Sequence, residues 1–118
     1  MNHLQIGSGD LAASRRFYER YFGFREAFSE DGILFLRDST GFLLALRPLD
    51  APASLPPWLH IGFRVSNASE VKALHQAMRA DGVMFARDLA EGDGWAAFYC
   101  VDPGGFNVEV SWDKPDPS

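Results

Sequence analysis

"AAFYCVDPGGFNVEVSW", residues 96–112, is the stretch that decides the fold. It reads as two strands folded around Pro103-Gly104-Gly105, a run of turn-forming residues. The second strand alternates, with Phe106, Val108, Val110 and Trp112 on one side and Asn107, Glu109 and Ser111 on the other. One face is therefore built for burial, and a lone carboxylate stands in the middle of the other. Glu109 either meets water or has partners elsewhere in the chain.

Upstream, the same turn occurs a second time. Asp38-x-x-Gly41-Phe42 matches Asp102-x-x-Gly105-Phe106 at an offset of 64 residues, and His3 matches His60 at an offset of 57. Around these markers the pattern repeats. "HLQIGSG" alternates as a strand, and "DLAASRRFYERYFGF" places Leu11, Phe17, Tyr18 and Tyr21-Phe22 at helical spacing behind Asp10 as N-cap and before Gly23 as stop. "FREAFSE", "GILFLRD" and "GFLLALRP" follow as three short strands. In the second half "WLHIGFRV" is a strand and "NASEVKALHQAMRADG" a helix, with Asn67 as cap, Glu70 at the capping-box position and Gly82 as stop. "VMFARD", "GWAAFYCVD" and "GFNVEVSW" complete the set. The architecture predicted is α+β: two β-α-β-β-β modules in one domain spanning 1–118. Module 1 covers about 1–48, a proline-rich linker about 49–57, module 2 about 58–113, and a tail 114–118. Side by side, two such modules are expected to form one strongly curved mixed sheet with helices outside and a trough inside.

The composition suits a small-molecule site in that trough. Ten Phe, three Tyr and three Trp can line a core or a pocket for an organic ligand. A formal charge of −5 with only two lysines, Lys72 and Lys114, excludes a nucleic-acid surface. Cys100 is the only cysteine, so no internal disulfide forms and no oxidising compartment is implied. No basic-then-apolar leader and no membrane-length run is present, which reads as a cytoplasmic chain without a membrane partner.

Alternation also says which polar residues share the trough. If the strongly apolar faces pack under the helices, then His3, His60 and Glu109 all point away from them. Two imidazoles and a carboxylate from three strands suit a divalent ion with open positions for substrate. Tyr99 joins them if the turn is a three-residue loop, as the candidate acid or base; a two-residue loop turns it toward the helix. Arg64 shares the His60 face and is a candidate for an anionic substrate group, against a plain surface role. Trp58 and Trp95 are candidates to line the pocket or the core, whereas Trp112, on the apolar face, belongs with the core. His75 reads as a surface or partly buried helix residue and Cys100 as core filler.

"HLQIGSGDLAASRRFYERYFGF" at 3–24, "LHIGFRV" at 59–65 and "FYCVDPGGFNVEV" at 98–110 together resemble the vicinal oxygen chelate superfamily of glyoxalases, bleomycin-resistance proteins, fosfomycin-resistance proteins and extradiol dioxygenases. The resemblance implies the glyoxalase/bleomycin resistance/dihydroxybiphenyl dioxygenase-like fold. It also implies metal ligands at His3, His60 and Glu109, a divalent ion (Fe, Mn, Zn or Ni), a small oxygen-chelating substrate and a homodimer. Seven residues after Asp38, where the family often supplies a fourth ligand, stands Ala45. That departure moves the expectation from a glyoxalase I toward a two-His, one-Glu site, and the scarcity of clustered cations speaks against a phosphonate substrate. The alternative within the family is a metal-free protein that sequesters a drug.

Overall fold

The computed structural model describes residues 1–51 and 54–115. Linker residues 52 and 53 and tail residues 116–118 lie outside the described residues. The elements run β1 His3–Ser8, α1 Leu11–Phe22, β2 Arg25–Glu30, β3 Ile33–Arg37, β4 Leu43–Pro48, β5 His60–Arg64, α2 Ala68–Ala80, β6 Phe85–Gly92, β7 Trp95–Val101 and β8 Asn107–Asp113. The β-α-β-β-β order therefore occurs twice, as the sequence predicts. By contacts the chain forms two compact units, Met1–Leu55 with Pro103–Phe106, and Pro56–Asp102 with Asn107–Ser118.

In the first unit the sheet order is β1-β4-β3-β2, with β1 parallel to β4 and the other pairs antiparallel. Helix α1 starts where the Asp10 carboxylate accepts a hydrogen bond from the Ala13 amide at 3.0 Å, and ends at Gly23, whose φ of 71° suits glycine. Phe17 and Tyr18 on its inner face pack with Leu36, Leu44 and Leu46 into a core closed to water. At the β3–β4 turn the Asp38 carboxylate accepts from the Thr40 amide (2.9 Å), the Thr40 hydroxyl (2.7 Å) and the Phe42 amide (3.0 Å). Burial alone pushes this carboxyl up, but the hydrogen bonds outweigh it and hold its pKa below the ordinary value.

The turn segment Pro103–Phe106 clusters with this first unit. A Cβ on Gly104 would lie 2.7 Å from the Gly7 carbonyl oxygen and 3.1 Å from Ser8 Cα. Non-bonded heavy atoms are at ease only at ~3.5–4.0 Å, and both obstacles are backbone, which cannot rotate away. Gly104→Ala is therefore expected to cost ~1–3 kcal/mol, the range of overpacked sites, read as a lower urea midpoint at unchanged slope. An unchanged midpoint would mean that the segment does not lie against Gly7 in solution.

The second unit repeats the order as β5-β8-β7-β6, with β5 parallel to β8. Asn67 caps α2 through a bond from the Glu70 amide at 2.9 Å, and Glu70 reaches back to the Ser66 amide at 3.0 Å, one residue earlier than a standard capping box. Ala96, Phe98 and Cys100 of β7 and Val108 and Val110 of β8 are fully buried beneath Val71 and Met78 of the helix. Cys100 is core filler, as expected, and burial followed by the nearby Asp102 charge pushes its thiol up to about 12. His75 is largely covered, packed against Phe85 and Phe98 and bonded through Nε2 to Asp88 at 2.6 Å. The opposite face of this sheet carries the polar residues.

Candidate functional site

One row of residues runs straight across the second sheet. Gly62 on β5 pairs with Glu109 on β8, Glu109 with Tyr99 on β7, and Tyr99 with Arg87 on β6. The register settles the parity of the Pro-Gly-Gly turn. Val101 faces Asn107 as the last ladder pair, leaving a five-residue connection, and Tyr99 stands directly across from Glu109, as the odd-numbered loop requires. Tyr99 shares the Glu109 face, opposite the helix-covered residues.

His60 sits one step along, paired with Asn107. Its Nδ1 lies 2.9 Å from the Trp58 carbonyl oxygen, which can only accept, so Nδ1 carries the proton. Nε2, the ring nitrogen not tied to the backbone, stands 3.6 Å from Glu109 Oε1. Two ligands each ~2.1 Å from one ion, subtending 90–110°, stand ~3.0–3.4 Å apart. The observed spacing needs only a slight closing, so this pair fits two positions of a metal ion. The backbone-anchored imidazole tautomer is also the one that metal-binding histidines adopt.

Glu109 is supported from both sides. Burial raises the Tyr99 pKa first, then its hydrogen bond to Glu109 and that carboxylate's charge, so the phenol keeps its proton and donates a hydrogen bond to Glu109. Gly62 leaves the other flank clear, since even a Cβ there would sit 3.5 Å from Glu109 Oε1. The His60 and Tyr99 rings meet edge to face at 5.1 Å, and the Arg87 guanidinium lies 5.6 Å from the centre of the Tyr99 ring. Trp58, His60, Ala86, Arg87, Tyr99 and Asn107 line an open pocket of about 430 Å³, within the size range of small-molecule sites.

The other sequence candidates lie elsewhere. His3 opens β1 of the first unit, exposed, with Nδ1 2.6 Å from Asn2 Oδ1. Ala45 pairs with Gln5 as Glu109 pairs with Gly62, so it holds the register position of the second unit's carboxylate without a ligand atom. Arg64 is engaged at the far end of β5, bonding Asp113 Oδ1 at 2.8 Å and the Asp113 carbonyl at 2.6 Å. Trp95 pairs with Gly92 and Asp113 at that same end, while Trp58, 74% exposed, lines the pocket. Among the described residues no group of three or more His, Cys, Asp or Glu side chains gathers as a ready-made metal cage. Two pocket residues, Arg87 and Asn107, carry no sequence signal of their own; alternation along "FARD" puts Arg87 beside the site only once the β6 register is known.

Comparison with known proteins gives a consistent picture. The family model of the Glyoxalase/Bleomycin resistance protein/Dioxygenase superfamily matches residues 1–110. No curated protein matches the chain. A solved structure of a possible glyoxalase from Bacillus cereus is 29% identical, with a TM-score of 0.81 over 93% of this chain and 96% of that one. A glyoxalase-related enzyme from Fulvimarina pelagi is 27% identical, with a TM-score of 0.74 over 96% and 87%. A variant of the fosfomycin resistance protein FosX from Listeria monocytogenes, solved with Mn(II) and 1S,2S-dihydroxypropylphosphonic acid, shares the fold at 18% identity and a TM-score of 0.77 over 93% and 86%. The model match along nearly the whole chain, together with the doubled β-α-β-β-β order, shows that this chain belongs to the Glyoxalase/Bleomycin resistance protein/Dioxygenase superfamily.

Proposed function

We propose that the chain is a divalent-metal enzyme acting on a small substrate that presents two neighbouring oxygens. His60 Nε2 and a Glu109 oxygen supply two ligands, and His3 is the third donor that the sequence reading offers. The observation that carries this reading is the pairing of His60 with Glu109: Nδ1 is tied to the Trp58 carbonyl, which turns the other ring nitrogen, Nε2, toward a carboxylate 3.6 Å away. The FosX variant, similar in fold, was solved with Mn(II). When bound, such an ion acts as a Lewis acid on the substrate oxygens. The chain's own groups do the rest. Tyr99 holds the Glu109 carboxylate in place with its phenol proton and, lining the pocket, is the candidate to exchange a proton with a bound ligand. Asn107 donates to the Pro57 carbonyl at 3.1 Å and so steadies the loop that carries Trp58. The working assembly under this reading is a homodimer, which light scattering reads directly.

Metal uptake tests the proposal. Protein stripped with chelator and then titrated with Mn(II), Zn(II), Ni(II) or Fe(II) is expected to bind one ion per chain, counted by mass spectrometry and, for Mn(II), by electron paramagnetic resonance. A stripped chain that refuses all four ions overturns it. The second reading, a metal-free drug-sequestering protein, is favoured by one feature, the exposed Trp58 indole beside Tyr99 as a stacking surface. It requires tight binding of a planar ligand that chelator leaves unchanged.

A further inference from the structure

Among the arginines of the second unit, Arg87 stands apart in its surroundings. Arg64 is held by Asp113 and Arg79 by Asp88, the usual fate of a surface guanidinium. Arg87 lines the pocket, shares its row with Tyr99 and Glu109, and its side chain has no hydrogen bond or ion pair among the described residues. Its guanidinium carbon lies over the Tyr99 ring, 5.6 Å from the centroid. A guanidinium is always charged and carries five N–H donors in a planar fork, so stacking on a ring leaves its hydrogen-bonding capacity unspent.

We propose that Arg87 binds a carboxylate of the substrate, making the ligand class a small planar molecule that carries one carboxylate besides its chelating oxygens. This rests on the metal reading only for the chelating half; the carboxylate half stands on the pocket itself. Charge supports it. A divalent ion against the single Glu109 carboxylate leaves one positive charge, and Arg87 adds a second, which suits a chelating ligand with an extra anionic group. One fork matches a planar carboxylate, whereas a phosphate favours several converging cations, and neither Lys72, paired with Glu91, nor any other cation joins Arg87 in the pocket lining. The flat body of such a ligand would lie beside the exposed Trp58 indole.

The test separates the two halves. Metal-free protein is titrated with benzoate and with its uncharged counterpart benzamide, followed by the NMR shifts of the Trp58 indole and the pocket amides. Benzoate is expected to bind about tenfold more tightly, the scale of one charge-assisted hydrogen-bonded pair in a partly open site. Arg87→Gln should erase that preference, and Arg87→Lys should keep part of it. The Zn(II)-loaded protein should prefer 3,4-dihydroxybenzoate over catechol by a similar factor, again lost in Arg87→Gln. Equal binding of benzoate and benzamide, no benzoate shift at the pocket, or a preference that survives Arg87→Gln overturns the assignment. Failure to load Zn(II), Mn(II), Ni(II) and Fe(II) alike would sink the metal reading while leaving the benzoate preference in place.

Discussion

Glu109→Gln is expected to lower Mn(II) affinity by more than ~100-fold, because losing even an outer-sphere partner of a metal site costs ~10–100-fold and this residue is placed as a ligand. The substitution keeps shape and removes charge. The amide oxygen of the variant side chain would still accept a hydrogen bond from the Tyr99 phenol, and His60 keeps its anchor on the Trp58 carbonyl, so the sheet has no reason to rearrange. Thermal midpoint and circular dichroism should stay close to wild type. A second readout belongs to the same carboxylate. Its hydrogen bond and charge both raise the Tyr99 pKa, so in Glu109→Gln the phenol should ionise at lower pH, visible as an earlier ultraviolet tyrosinate rise. Mn(II) binding at wild-type affinity in the variant would remove Glu109 from the ligand set. An unchanged tyrosinate curve would remove the Tyr99–Glu109 bond.

Why Glu109 is legible in the sequence, and Arg87 is not, comes down to what alternation encodes. Period-two patterning fixes which face a residue occupies, whereas Pro103-Gly104-Gly105 allows an odd or an even loop, and the five-residue connection in the structure decides the parity between β7 and β8. Together they put Glu109 and Tyr99 side by side, and the offsets of 57 and 64 correctly pair Ala45 with the carboxylate position. Alternation says nothing about how far along the sheet a side chain finds its partner. Arg64 does share the His60 face, yet Asp113 at the end of β8 takes its guanidinium. Arg87 lies on β6, where bulges shift the register on both sides of it and the strand runs on to Gly92, past the Asp88 at which "VMFARD" stops. The proton on His60 Nδ1 depends on the path of the Pro57–Trp58 loop, which no spacing rule describes.

Phe98→Ala is the change expected to cost most in stability, ~3–5 kcal/mol, the range for truncating a large aromatic in a closed core. Phe98 is fully buried on the helix-facing side of β7, with the His75 ring at 5.3 Å and the Phe85 ring at 5.7 Å, both edge to face. Its neighbours Ala96, Cys100, Val108 and Val110 are small and sit on rigid strands, so little can move in to fill the space. The consequence reaches the pocket because β7 is shared by both faces: Phe98 fixes the strand against α2, and the next residue is Tyr99. At ~3–5 °C per kcal/mol for a chain of this size, the thermal midpoint should fall by ~10–20 °C. Phe98→Leu, which keeps most of the volume, should lose less than half as much. Urea unfolding monitored by circular dichroism reads both. A loss below ~1 kcal/mol for the alanine variant would mean that the core collapses freely around the gap, and that α2 does not clamp the strand on which Tyr99 stands.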